Sequence, residues 1–431
     1  MPVSWPKLIV DIVNNHHTKY YNGEVAPEDW EEPVPVNFLA VSPGSEFEFC
    51  LGARRGVESK RVLNLAKEWI NGALAWVGAG AKTNAGYGRF ATSGPLHADV
   101  NRSTFKAKIS LVSPAFLAGA LQGKEDCTLR SATLRGLLRW WWRTLHAGFV
   151  PVDELRNIEG EIWGTTTTDA AIALNVDSAA SSGVQQFNFR RPREIEGVPG
   201  RLYLAYGMEG NAAKNTPARW FIQPGASWSV TLVARDTQRW RSDVVLDQAV
   251  ASLWVLSAFG GIGAKCRRAF GSFDLSEASD PLPTASDVLT RAGKIRPASG
   301  YQESLVESPP LNRMGFRTLP LKSRDAWSAI DRLGESYRSF TASEKRKSEK
   351  LRLGLPRAIG RRNVDQERLK HPAGNYSRHG SPLHMRLLKG TEGYDVRITT
   401  LPSPHLPDLQ KSRDYLKRCS DFIAEHLLAR K

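Results

Sequence analysis

GAKTNAGYGRF at 80–90 and GAKCRRAFGSF at 263–273 align without a gap. Each follows an apolar stretch, LNLAKEWINGALAWVG in the first case and LDQAVASLWVLSAFGG in the second. In the first stretch Leu63, Leu65, Trp69, Ile70, Leu74 and Trp76 fit a buried helix face better than strict alternation. Further upstream, PGSEFEFCLGAR at 43–54 matches PGASWSVTLVAR at 224–235. Both open on Pro-Gly and then alternate with aromatic and β-branched residues, the pattern of a half-buried strand after a turn. One unit therefore occurs twice in the same order: strand, helix, glycine-rich loop, strand.

Glycine permits positive φ and close approach of another backbone. Gly80, Gly86 and Gly88 with Lys82 would present backbone N–H groups and one ammonium, a set that suits a phosphate. Gly260, Gly261, Gly263 and Gly271 with Lys265, Arg267 and Arg268 repeat it. The alternative is a tight helix-to-strand turn with its lysine in solvent. A P-loop is excluded, because Ala81 precedes Lys82 and the segment before it reads as helix. A dinucleotide fingerprint is excluded because Gly78-Ala-Gly80-Ala-Lys-Thr lacks the third glycine.

Composition sets the class of partner. The chain has 431 residues, enough for two or three domains, and its 41% hydrophobic content is sufficient for a packed core. Lys and Arg number 59 against 44 Asp and Glu, a net charge of +15 that favours a polyanionic partner. Thirteen Trp add aromatic faces for stacking on bases, although core packing also uses them. Cys50, Cys127, Cys266 and Cys419 are scattered without C-x-x-C spacing, which argues against a zinc or redox pair and fits the cytoplasm. No apolar run reads as long enough to span a bilayer, and the start MPVSWPK shows no export signal. No metal or cofactor is expected.

Residues 130–146 read RSATLRGLLRWWWRTLH, a helix that Ser131 can cap. Arg135, Arg139 and Arg143 are four apart and share one face, while Leu134, Leu137, Leu138, Trp141 and Leu145 turn to the core. For Trp140, Trp141 and Trp142 core packing is the better reading. The Arg face can meet phosphate or simply solvent. Gly136 costs about 1 kcal/mol against Ala inside a helix and makes sense where something such as an RNA backbone packs close.

These motifs, taken in order, resemble the RAMP superfamily of CRISPR proteins. More closely, the chain looks like two subunits of the type III-B Cmr complex joined end to end. Residues 8–90 resemble the C-terminal part of the sixth subunit, through DIVNNHHTKYYNG (11–23), APEDWEEPVPVNFLAV (26–41) and GAGAKTNAGYGRF (78–90). Residues 105–431 resemble the first subunit, through LRSATLRGLLRWWWR (129–143), EGEIWG (159–164) and GGIGAKCRRAFGSF (260–273). The resemblance implies an α+β chain of tandem ferredoxin-like (RRM-like, βαββαβ) units with antiparallel sheets. It implies a ribonucleoprotein subunit that binds the 3′ part of crRNA and helps capture target RNA, with other Cmr subunits as partners. The sixth subunit normally has a half preceding the region matched; either a separate chain supplies it, or it is lost or misassigned. The expected RNA contacts are Lys82, Thr83, Arg89, Arg130, Arg135, Arg139, Lys265, Arg267 and Arg268.

No catalytic residue is expected. Asp126 reads as an acid favourable near a helix start. A metal-independent RAMP endoribonuclease that processes precursor crRNA is the alternative, with His16 or His17 as general acid or base; a non-CRISPR RNA-binding module is a third. The expected organisation is a partial unit at 1–95, a connector near 91–104, a unit at 105–275, a linker within 275–312 and a last unit at 300–431. In that last unit a basic, irregular stretch at 341–379 orders on RNA, and an amphipathic helix spans 408–430.

Overall fold

The computed structural model describes residues 7–27, 31–54, 59–91, 102–178, 183–189, 198–211, 213, 215–297, 309–345, 347–354, 369–371, 374–376, 380–403, 406 and 408–429. The first unit opens with a hairpin of β1 (Leu8–Asn15) and β2 (Val34–Val41), antiparallel, with Leu8 opposite Val41. The short α1 (Thr18–Tyr21) lies between them. Pro43 and Gly44 then turn the chain, residues 45–54 follow, and α2 (Ser59–Trp76) leads into the glycine loop.

The second unit contains β3 (Arg102–Leu111), α3 (Ser131–His146), α4 (Val152–Trp163), β4 (Ile172–Ser178), β5 (Val184–Gln186), α5 (Gly200–Leu204), β6 (Trp220–Ile222), β7 (Ser227–Arg235), α6 (Ser242–Phe259) and β8 (Phe273–Ser276). Its main sheet runs β4-β7-β3-β8 with every neighbour antiparallel. With the β5–β6 hairpin set aside, the four strands come in the βαββαβ order and lie side by side as 4-1-3-2. That is the ferredoxin-like arrangement. The central β7 shows why: Trp228, Val230, Leu232 and Ala234 are buried at alternate positions and Ser229 is exposed.

Next come α7 (Ala285–Gly293), β9 (Gly315–Ser323), α8 (Ala326–Ser343), β10 (Leu369–His371), β11 (Gly374–Tyr376), β12 (Leu383–Gly390), β13 (Gly393–Thr400) and α9 (Leu409–Ala429). The third unit has an antiparallel sheet β12-β13-β9 under α8 and α9. Asp325 caps α8, accepting from Trp327 N at 2.9 Å and Ser328 N at 3.0 Å. Phe116, Phe221 and Phe270 of the second unit pack with Trp327 of the third, with ring centroids 5.3 Å apart for Phe221 and Trp327.

The repeat is visible in the backbone. Helices α2 and α6 both have 18 residues and start at matched positions of the two copies. Gly44 and Gly225 adopt φ of 84° and 95°, Gly80 and Gly263 97° and 82°, Lys82 and Lys265 62° and 61°, and Gly88 and Gly271 66° and 67°.

Several expectations change. Residues 45–54 were expected to match β7, yet they form no ladder beyond a bridge position at Phe47. A strand needs neighbours to satisfy its N–H and C=O groups, and β7 has β3 and β4 on either side. The expected linker at 275–312 begins on the last two residues of β8 and contains α7, which is held by a Thr284–Asp287 capping box and by packing of Val288 and Ala292. Helix α3 starts at Ser131 with Arg130 as its extended N-cap, and no side chain caps it. Helix α6 is long and apolar enough to cross a membrane by length and composition, but eleven of its residues are buried in this fold. Most of the connector near 91–104, and much of the basic stretch at 341–379, including Arg357, Arg361, Arg362, Arg368 and Arg378, lie outside the described residues.

Candidate nucleic-acid interface

Both glycine loops close on themselves by the same contacts. Ala79 N donates to Gly88 O at 2.9 Å, and Ile262 N donates to Gly271 O at 2.9 Å. A Cβ on Gly88 would lie 1.9 Å from Ala79 O, and one on Gly271 1.8 Å from Ile262 O, so no side chain fits either site. The left-handed backbone then projects Lys82 and Lys265 from equivalent points.

What each loop touches differs. On the first, Lys82 is exposed, with its ammonium 4.9 Å from the centre of the Phe38 ring. Phe38 meets the edge of Tyr87, and Tyr87 donates to Asp11 Oδ2 at 2.6 Å. Arg130 donates to the other oxygen of Asp11 at 2.5 Å, to Ile12 O at 3.1 Å and to Ala118 O at 3.3 Å. Thr83 is half-buried in the 3-10 turn beside Asn84, whose Oδ1 accepts from Ala170 N at 3.2 Å. Arg89 donates to Ala75 O at 3.3 Å, and burial holds its guanidinium below the ordinary range.

The second loop docks on the third unit. Met385 N donates to Arg267 O at 3.2 Å and Ala269 N donates to Met385 O at 2.8 Å, a short ladder between β12 and the loop. Arg267 donates to Ser381 O at 2.9 Å and lies over Trp140, which stacks on His384. Arg268 lies 4.5 Å over Tyr337 and donates weakly to Leu353 O at 3.5 Å, while its Nη1 is buried with no partner. Beside it Lys265 is depressed below its usual value, first by burial and then by the positive charge of Arg268, with Glu209 opposing. Burial and a like charge both destabilise an ammonium. Lys265 and Arg268 thus form a cation pair on a glycine loop, with a buried donor still unsatisfied.

The Arg face of α3 is real but turned inward. Arg139 Nε donates to Glu159 Oε1 at 2.7 Å and Arg143 Nη1 to the same oxygen at 2.8 Å. Tyr20 donates to Oε2 and Tyr21 to Oε1 of Glu159, each at 3.0 Å, so α1 of the first unit closes the cluster. Burial raises the Glu159 carboxyl, but Arg143 and Arg139 outweigh it and bring it down to about 2. Removing one member of such a buried set would leave uncompensated charge, a loss of about 3–5 kcal/mol. Arg135 is buried, donates to Ile172 O at 3.2 Å and to Trp163 O, and is pushed down to about 9 by burial and by Arg139. Three expected RNA contacts, Arg130, Arg135 and Arg139, therefore hold protein groups in this structure. Their spacing could not show this, because Asp11, Tyr20, Tyr21 and Glu159 come from distant sequence.

Trp141 and Trp142 are core residues and Trp140 is half-buried. Gly136 is exposed, and a Cβ there would meet nothing within 4 Å. Asp126 accepts from Leu121 N at 2.9 Å and Gln122 N at 3.0 Å. It closes its own loop rather than facing the N-terminus of α3. His17 is buried with its Nδ1 3.0 Å from Glu31 Oε2. Among the described residues no group of three His, Cys, Asp or Glu side chains is placed to hold a metal ion.

Comparison with known proteins locates this geometry. Residues 108–274 match the RAMP superfamily. Over 257 residues the chain is 22% identical to the CRISPR system Cmr subunit Cmr1-1 of Pyrococcus furiosus, covering 54% of this chain and 71% of that protein. Over 88 residues it is 39% identical to Cmr subunit Cmr6 of the same organism, covering 20% of this chain but only 25% of that relative. The crystal structure of apo Cmr1 from Pyrococcus furiosus superposes with a TM-score of 0.51 at 18% identity, over 75% of this chain and 96% of the other, a likeness of fold.

Proposed function

Because residues 108–274 form a RAMP superfamily domain and the chain has homologues among the Cmr subunits, we propose that it is a structural RNA-binding subunit of a type III-B CRISPR (Cmr) surveillance complex. In this reading it binds the 3′ part of the crRNA and helps capture target RNA at the head of the complex. Its partners are crRNA, target RNA and other Cmr subunits, in the cytoplasm. Other subunits cut the RNA.

The observation that carries the reading is the Lys265–Arg268 pair on the second glycine loop, where Lys265 sits in a left-handed turn beside a like charge whose repulsion an anion would relieve. A phosphate supplies both negative charge and acceptors. Lys82 and Thr83 repeat the offer on the first loop. Arg89 and Arg267 shape the two loops, and Arg130, Arg135 and Arg139 brace the units behind them. Such contacts are blind to sequence, as suits a complex in which base pairing reads the target.

Purification of the chain from its source cells, with sequencing of the RNA that accompanies it, tests this. The expected RNA is a set of short spacer-derived guides with a shared 5′ tag, arriving with other Cmr subunits. Precursor RNA cut at one fixed position by the chain alone, without metal, would overturn it in favour of the endoribonuclease. Assorted cellular RNA without Cmr subunits would overturn it in favour of a general RNA binder.

A further inference from the structure

In the third unit a cavity of about 530 Å³ lies between the start of β9 and residues 413–420 of α9. Its volume falls within the roughly 300–1,000 Å³ that small-ligand sites occupy. Arg313, Arg317, Arg413 and Lys417 line it, with Asp414 as the one lining acid. Beside them Asp421 accepts from both Arg317 and Lys417, from the latter at 2.8 Å. A single carboxylate thus serves two cations. With Asp421 included, four cations face two acids, an excess of two positive charges.

Phe316 forms the aromatic wall of this cavity and is 57% exposed. Its ring is nevertheless held. The ring centroid is 5.3 Å from that of Phe259, and the Arg397 guanidinium lies over it at 5.5 Å. Arg397 is fixed in turn, donating to Ala258 O at 2.9 Å and to Thr318 Oγ1 at 3.2 Å. A lone exposed aromatic needs no explanation. A clamped ring beside surplus cations in a concave site is different, because it combines a stacking platform with a basic track for a phosphate backbone. Phe259 closes α6 and Gly260 follows it, so the cavity abuts the root of the second glycine loop.

We propose that this cavity holds an unpaired nucleotide of a single-stranded RNA, with its base stacked on Phe316 and its phosphate met by Arg413 and Lys417. This deepens the RNA-binding reading and rests on it, adding a contact region on the third unit. An acidic peptide would satisfy the cations but leave the Phe316 ring bare. A duplex would not enter, because its bases already stack on one another.

For the test, Phe316 is replaced by a photo-crosslinking phenylalanine analogue in the full chain. The chain is irradiated with a short single-stranded RNA, with the same strand in a duplex, or with uridine and adenosine monophosphates. The expected result is labelling of the single strand, with duplex and mononucleotides at background. Labelling of mononucleotides alone would overturn the proposal in favour of a free-nucleotide site, and labelling of none by a chain that still binds RNA would overturn it outright. In binding assays Phe316→Ala should lower affinity for the single strand about tenfold, and Phe316→Trp should restore it. Arg413 is half-buried, and Arg413→Ala should reduce the salt slope by about 1, a readout that holds if Phe316→Ala fails to fold. If the unsubstituted chain binds no RNA, the RNA-binding reading falls and this proposal with it. If Lys265→Ala with Arg268→Ala weakens RNA binding while the Phe316 and Arg413 variants do not, this proposal alone falls.

Discussion

His146, the last residue of α3, is fully buried against the Trp142 ring, with Nε2 3.0 Å from Gln248 Oε1. Because Gln248 donates its own amide to Arg291 O, its oxygen is left to accept, and the neutral imidazole donates from Nε2. Burial, with the Arg296 charge adding, lowers this histidine from 6.5 to about 3. A histidine depressed in the folded state leaves the unfolded chain as the better proton acceptor. Its contribution is complete above about pH 6.5 and is lost as pH falls towards 3. Thermal unfolding followed from pH 7.5 to pH 5 should show stability falling by up to about 1.4 kcal/mol per pH unit below 6.5. His146→Gln should flatten that dependence; an unchanged slope would mean another group titrates. Glu159 acts in the same direction at lower pH, because its carboxyl is held down at about 2 by Arg143 and Arg139 against the effect of burial.

At the scale of elements, helix α3 shows what the sequence can and cannot give. Spacing identified its Arg face and its apolar face, and both exist. Which face meets solvent depended on an acid in α4 and two tyrosines in α1, and no local pattern encodes those meetings. The strand at 45–54 failed for a related reason: alternation marks a strand, but only flanking strands make one. Helix α7 was legible and missed, since Thr284 with Asp287 three residues on is a capping signal inside a stretch read as linker. The aligned glycines were legible, and Gly80, Gly86, Gly88, Gly263 and Gly271 take the positive φ that they permit, while the extended Gly260, the left-handed lysines and the docking of the second loop on β12 were not. Gly136 remains the open position on α3. Gly136→Ala should raise stability by about 1 kcal/mol, because alanine favours helix and nothing stands in its way. RNA affinity measured on the same variant should fall, as the added methyl group stands where a nucleic-acid backbone would approach. Unchanged affinity would show that the RNA path avoids this face.

For the whole molecule, the units are chained through their glycine loops. The first loop sets Gly86 against Ser131 at the start of α3 and Asn84 against Ala170. The second sets Arg267 and Ala269 on Met385 of the third unit. Each loop therefore fixes the next unit while its lysine, in a left-handed turn, projects from the junction. Two lysines held at successive junctions would track an extended polyanion along the chain, and the net charge of +15 supports association at a distance. The most direct test is the salt dependence of RNA binding by the complex, with Lys265→Ala and Arg268→Ala together against the unsubstituted chain. Two lost phosphate contacts should reduce the slope of log affinity against log salt by roughly 2, with equal effect on unrelated RNA sequences. A folded variant with the same affinity and the same slope would contradict the assignment of these junction cations to RNA.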